Sequence, residues 1–188
     1  MSVQRKRFLL AGLAAALGGG LARASVLLGS ARDGFKTAAG AARNGRRYTM
    51  RGVTANTLDL KVGAVDTDGG MAMFEQLGTS PNGGPPLHIH PDQDESFHVL
   101  EGHYRSQVGD QRFDLGVGDT VFLPRGVPHA FIQLSEVART IVIYQPAGDM
   151  EAFFAETAQW TTPPDADAVR RVFAAHGMQV VGPPLGRE

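Results

Sequence analysis

The chain has 188 residues, a formal charge of −1, 43% hydrophobic and 20% charged residues, the size and make-up of one globular domain with a packed core. The near-neutral charge removes the electrostatic basis for a nucleic-acid partner, and the absence of cysteine excludes a disulfide scaffold, thiolate zinc sites, iron–sulfur clusters and a cysteine nucleophile. Any metal must be held by carboxylates and by the six His, while 24 Gly and 11 Pro favour many short strands joined by tight turns over a helix bundle.

The first segment, residues 1–24, reads as a cleaved secretory signal. Arg5-Lys6-Arg7 supplies a positive start, FLLAGLAAAL an apolar stretch, and Ala22-Arg23-Ala24 a small-residue cleavage site before Ser25,. Gln4-Arg5-Lys6-Arg7-Phe8-Leu9 is similar to a twin-arginine export signal, with Arg-Lys in place of Arg-Arg, so either that route or Sec export is expected. The apolar run is too short for a membrane span, which needs about 20 residues, and no membrane contact is expected after cleavage. Loss of Arg5, Lys6, Arg7 and Arg23 leaves 14 basic against 19 acidic residues, a net charge of −5. The mature protein is expected in the periplasm or secreted.

Residues 25–45 show no hydrophobic period and read as a flexible linker. Arg43, Arg46, Arg47 and Arg51 read as the solvated edge of a first strand. From about Tyr48 to Pro146, apolar runs at Val53–Val65, Met71–Leu77, Phe97–Leu100, Tyr104–Val108, Val121–Leu123 and Thr140–Tyr144 are separated by Gly, Asp and Asn turns. This predicts a sandwich or barrel over 46–147. A helical extension is predicted over 148–188. Asp149 would cap a helix from Met150 to Ala158, and Asp165 one running to Ala175 and stopped by Gly177, with His176 serving its carbonyl end. The pair is expected most simply on the outer face of the barrel, with a place over the pocket mouth or against a partner as the alternatives.

Three His and one Glu form a pattern within the barrel region. His88-Ile89-His90 puts two imidazoles on one face of a strand, Pro91-Asp92-Gln93-Asp94 is a turn, and Glu95 opens the next strand. Leu123-Pro124-Arg125-Gly126-Val127-Pro128 then delivers His129 into a new strand. Three neutral imidazoles and a carboxylate suit one divalent transition metal, whether Fe, Mn, Ni, Cu or Zn.

These residues resemble the cupin superfamily. The first motif is carried by Pro86-Leu87-His88-Ile89-His90, four residues, Glu95, six residues, Gly102; the second by Gly118, five residues, Pro124-Arg125-Gly126, two residues, His129. Two positions depart from the pattern: Asn82 stands where a glycine is usual and Gln133 where an Asn is usual. The resemblance implies an all-β jelly-roll barrel with His88, His90, Glu95 and His129 as metal ligands, here followed by two C-terminal helices, and a homodimer. By strand alternation, Phe97 and Val99 share the inward face with Glu95, and Phe131 and Gln133 that of His129, which makes these four the candidate substrate pocket; His98 points outward and His103 falls outside the pattern. The expected activity is that of a metal-dependent dioxygenase similar to the quercetinase-like cupins, acting on an oxygen-rich enolic or phenolic small molecule with Glu95 as catalytic base. A non-catalytic module for a small acid or sugar, and a metal-assisted isomerase or lyase, remain as alternatives. Mass spectrometry of the protein recovered from its native compartment is expected to find Ser25 at the N-terminus; an intact Arg5–Arg7 segment would overturn the export reading.

Overall fold

The computed structural model describes residues 33–52 and 54–187, so the expected signal segment 1–24 and the first part of 25–45 lie outside the described residues. The remainder is built on strands β1 Arg47–Met50, β2 Asn56–Val62, β3 Ala72–Gly78, β4 Pro86–Ile89, β5 Asp94–Glu101, β6 Tyr104–Val108, β7 Gln111–Leu115, β8 Thr120–Leu123, β9 His129–Gln133 and β10 Ala138–Gln145. They are followed by helices α1 Met150–Thr157 and α2 Ala166–Ala175 and a last strand, β11 Gln179–Pro184. The strands form two antiparallel sheets, ordered β1-β2-β3-β10-β5-β8 and β11-β4-β9-β6-β7. This is the expected jelly roll with two helices near its C-terminus.

Period-two alternation sets what faces the interior. In β3 the buried residues are Ala72, Phe74, Gln76 and Gly78, and in β10 they are Ala138, Thr140, Val142 and Tyr144. In β5 they are Glu95, Phe97 and Val99. The register stacks these into inward rows: Ala72–Tyr144–Glu95, Phe74–Val142–Phe97 and Gln76–Thr140–Val99. Phe74 is fully buried, with its ring centroid 5.0 Å from that of Phe154, 5.9 Å from Tyr144 and 6.3 Å from Tyr48.

One turn, at residues 81–84, brings β4 alongside β9. Asn82 has φ 66°, a conformation that Asn tolerates better than most residues, which accounts for its standing at a glycine position. Its N–H donates to Gln133 O at 2.8 Å, and Gln133 N–H donates to Gly83 O at 3.0 Å. A Cβ on Gly84 would lie 1.8 Å from Phe131 O, so only glycine lets this segment lie against β9 on its way into β4.

Residues 37–45 are tied to the barrel although the sequence shows no period there. The Thr37 hydroxyl donates to Lys61 O at 3.0 Å and Lys61 Nζ to Ala41 O at 2.7 Å. Three of the arginines read as a solvated edge are in ion pairs: Arg43 with Asp66, Arg46 with Glu151, and Arg47 with Asp59.

The extension 148–188 differs from its sequence reading in two respects. Its end is a strand: β11 pairs with β4, Val180 opposite His88 and Pro184 opposite Pro86. A segment containing Pro183 and Pro184 reads poorly as strand because proline cannot donate to a ladder, and β11 occupies a sheet edge, the place where that is tolerated. The helices do not lie on the outer face. Met150, Phe153, Phe154 and Phe173 are buried and line the barrel cavity, because the open end of the barrel offers apolar surface that these residues can cover. Gly177 ends α2 at φ 79°, with Met178 N–H donating to Phe173 O at 2.9 Å, as its sequence position implies. His176 stands at that helix end, its N–H bonded to Val172 O and Phe173 O, and its ring has further partners: its Nδ1 pairs with Asp149 and its Nε2 lies 2.9 Å from Glu156 Oε2. Partial burial pulls this imidazole down, but its bonds to Glu156 and Asp149 outweigh that and raise its pKa. Truncating the central aromatic, Phe74→Ala, is expected to cost about 3–5 kcal/mol in denaturant unfolding; a loss below about 1 kcal/mol would show that Phe74 does not centre the packing.

Candidate metal centre

β4 and β9 run side by side with His88 directly opposite His129, His90 follows the end of β4, and Glu95 comes from β5 in the other sheet. The site therefore bridges the two sheets. All four side chains are buried, and one donor atom from each lies within 4.8 Å of every other. Among the described residues this is the only cluster of three or more His and acidic groups so placed.

The outer nitrogen of each imidazole has an oxygen partner. Nδ1 of His88 lies 2.8 Å from Pro86 O, that of His129 3.0 Å from Val127 O, and that of His90 2.6 Å from Gln93 Oε1. A backbone carbonyl can only accept, so His88 and His129 carry their proton on Nδ1. The Gln93 amide is oriented by the same logic. Its Nε2 lies 2.8 Å from Pro146 O, so the nitrogen must face that carbonyl and Oε1 must face His90. All three rings consequently present the Nε2 lone pair to the centre, the orientation that outer partners give to metal-binding His.

The donors fit a cation. Nε2 of His129 is buried without a hydrogen-bonding partner and lies 3.2 Å from Glu95 Oε2; Nε2 of His90 is 3.7 Å from the same oxygen. Lone pairs facing a carboxylate at these distances repel unless a cation sits among them, and three imidazoles with one carboxylate form a donor set for a first-row divalent metal. Burial holds the His88 imidazole neutral down to about 3, with His129 and His90 adding to the shift. Burial alone would raise Glu95, but its interactions with the surrounding imidazoles, His129 first, bring it down to about 2. At neutral pH both are in the form a metal requires.

The centre lies in a cavity of about 110 Å³. Leu58, Phe97, Leu123 and Phe131 wall it, and Met150, Phe153, Phe154, Phe173 and Met178 close it from the C-terminal side. Of the residues expected in the pocket, Phe97 and Phe131 line this cavity, their ring centroids 5.1 Å apart. Val99 does not; it borders a separate 10 Å³ void together with Tyr104, Ser106 and Leu115. Gln133 also lies elsewhere. Its Nε2 donates to Gly78 O, Ser135 O and Glu136 O at 3.2, 2.8 and 3.2 Å, so it fastens a turn rather than facing a ligand. Inward parity places both residues inside the barrel, but parity does not say how far along the barrel they sit. His98 is half-buried on the opposite face of β5, its Nδ1 2.9 Å from Thr120 Oγ1, and His103 is exposed.

Sequence reasoning missed three polar residues here. Tyr144 is buried opposite Glu95, and burial, reinforced by the Glu95 charge and hydrogen bonding, pushes its phenol well above the usual range. Its inward parity was readable, its pairing with Glu95 was not. Asn56 lines the cavity with its buried Oδ1 unpartnered. Gln93 sits within what read only as a turn.

Residues 78–144 match the family model described as Cupin domain. The chain is 35% identical over 54 residues to an uncharacterized protein of Streptomyces coelicolor, covering 29% of this chain and 51% of that one. It is 31% identical over 62 residues to an uncharacterized protein of Aquifex aeolicus, covering 33% and 51%. The chain thus spans about half the length of these curated relatives. Among solved structures, the polyketide cyclase RemF from Streptomyces resistomycificus aligns at 26% identity and a TM-score of 0.45, over 54% of this chain and 72% of that one.

The pH dependence of folding is a direct check on the buried imidazole. Below about 6.5 the unfolded chain protonates His88 while the folded chain does not until about 3, so the unfolded state binds more protons and stability falls as pH is lowered through that window. Denaturant unfolding of metal-free protein is expected to show this slope, and His88→Gln is expected to flatten it; identical slopes would place His88 in a solvated setting.

Proposed function

We propose that this chain, whose residues 78–144 form a cupin domain, is an exported metal-dependent dioxygenase for a small enolic or phenolic ligand. The observation that carries the reading is the convergence of three Nε2 donors and one carboxylate in a largely apolar, aromatic-walled cavity. A divalent metal bound there would polarise a coordinated substrate oxygen. Together with neutral imidazoles and ionised Glu95 it would leave one positive charge, which favours an anionic oxygen ligand.

The chain's own groups supply the rest. Glu95 is ionised and accepts the proton of the substrate hydroxyl. Tyr144, held protonated beside it, is a hydrogen-bond donor that steadies the carboxylate. Phe97 and Phe131 accept a flat, unsaturated body, and Asn56 Oδ1 offers an acceptor to a second hydroxyl or N–H. A buried acceptor without a partner costs about 1–3 kcal/mol, so a ligand that donates to it gains by that contact. Dioxygen is the oxidant, and both of its atoms enter the product.

Size narrows the substrate. The cavity of about 110 Å³ is smaller than the ~150 Å³ apolar cavity that holds benzene. A small diketone or hydroxyketone suits this closed form, whereas a flavonol would require α1 and α2 to move away. The signal pattern of residues 1–24 supports action outside the cytoplasm, and a homodimer is the assembly suggested by the resemblance.

Oxygen-electrode assays of protein loaded in turn with Fe²⁺, Mn²⁺, Ni²⁺ and Cu²⁺, with hydroxyacetone as the probe, are expected to show uptake. It should be abolished by His88→Ala and reduced about 10²–10⁴-fold by Glu95→Gln, the range for losing a general base. Full activity in both variants would overturn the reading, and saturable binding without oxygen uptake would assign a binding module instead.

A further inference from the structure

Gln93 is 7% exposed and joins two parts of the molecule through one amide. Its Oε1 accepts from His90 Nδ1–H at 2.6 Å, and its Nε2 donates to Pro146 O at 2.8 Å. Pro146 is the first residue after β10, and Pro146, Ala147, Gly148 and Asp149 connect that strand to α1. The contact extends along this connection: a Cβ on Gly148, which has φ 54°, would lie 2.5 Å from Gln93 Nε2. The helix that follows contributes Met150, Phe153 and Phe154 to the closure of the cavity.

We propose that Gln93 is a positioning residue that couples occupancy of the metal centre to closure of α1 over the cavity. The proposal rests on the metal-binding part of the function proposed above and not on the identity of the reaction. A cation drawing on the His90 Nε2 lone pair makes its Nδ1–H a stronger donor. That strengthens the bond to Gln93 Oε1, and polarisation along the amide strengthens the bond from Nε2 to Pro146 O. The chain of two bonds runs from the centre to the segment that starts the closing helix. Coupling of binding equilibria is reciprocal, so displacement of α1 when a ligand enters or leaves weakens the hold on the metal by the same factor that metal strengthens closure.

Two substitutions separate the halves of the strut. Gln93→Leu removes both bonds. Gln93→Glu keeps an acceptor for His90 Nδ1–H and puts an oxygen where Pro146 O needs a donor. The full chain, stripped with a chelator, is titrated with Zn²⁺, and hydrogen exchange of the α1 amides is followed with and without saturating Zn²⁺. Loss of the outer partner of a metal-binding His is expected to weaken Zn²⁺ binding about 10–100-fold in Gln93→Leu. Gln93→Glu is expected to bind as tightly as the unaltered protein or tighter. Zn²⁺ is expected to slow exchange in α1 of the unaltered protein and in neither variant. Should Gln93→Leu fail to fold, the Gln93→Glu comparison decides alone. Slowing of α1 by Zn²⁺ that persists in Gln93→Glu, or unaltered protein that binds Zn²⁺ with no slowing of α1, overturns the coupling and leaves the metal site standing. Unaltered protein that binds no Zn²⁺ overturns both.

Discussion

Three imidazole N–H groups, each held by an oxygen acceptor on the far side of its ring, turn the inner nitrogens of His88, His90 and His129 toward a single point. Two of the acceptors are backbone carbonyls two residues before the His that they hold, so the same stretch of chain supplies ligand and support. The third is a side chain whose own orientation is set by a further carbonyl. Because these rings are buried, the arrangement has little freedom. An inverted ring would leave a donor facing the centre and a carbonyl without its partner, each a substantial cost away from water. The cluster is thus organised for a cation before any cation arrives, and the Glu95 carboxylate, facing lone pairs at 3.2 and 3.7 Å, gives the electrostatic reason for one.

The two sheets divide the labour around that point. β4, the residue that follows it and β9 carry the imidazoles, while β5 and β10 carry Glu95 and Tyr144 side by side. No single sheet holds the whole centre, so the site depends on the packing that brings the sheets together. Within the second sheet, Gly84 lets the chain entering β4 lie against β9, since any side chain there would meet the backbone of β9. The C-terminal segment completes the arrangement. α1 and α2 close the end of the barrel, with Phe153 and Phe173 5.0 Å apart and His176 held between Asp149 and Glu156. β11 then returns to lie along β4, the strand that bears His88. Cavity size is set jointly by the barrel and by this closure.

The two departures from the cupin pattern have physical accounts. Asn82 adopts the positive φ that the usual glycine would. Gln133 places its amide among three carbonyls of neighbouring segments, and its oxygen occupies the space that a side chain on residue 78 would need, a Cβ there lying 2.0 Å from it. Neither departure reaches the metal ligands.

Local pattern was sufficient for much of this protein. Alternation of apolar residues marked most of the strands and the Gly, Asn and Asp clusters marked the turns, because both depend on the short-range geometry of strand and turn, while His88, His90, Glu95 and His129 stood out through their resemblance to the two cupin motifs. The caps of α2 at Asp165 and Gly177 were legible for the same reason. What the sequence did not reveal depends on contacts between distant segments. Val99 and Gln133 share the inward parity of true cavity residues but sit away from it; parity fixes a face and not a depth. Tyr144 meets Glu95 only through the β5–β10 register, Gln93 meets Pro146 across 53 positions of chain, and the C-terminal helices found the open end of the barrel through complementary apolar surface. The sequence by itself determined the fold class and the chemistry of the donor set. Tertiary structure decided how large a ligand the centre admits, what covers it and which residues hold its ligands in place, because those properties arise only where separate strands and helices are packed against one another.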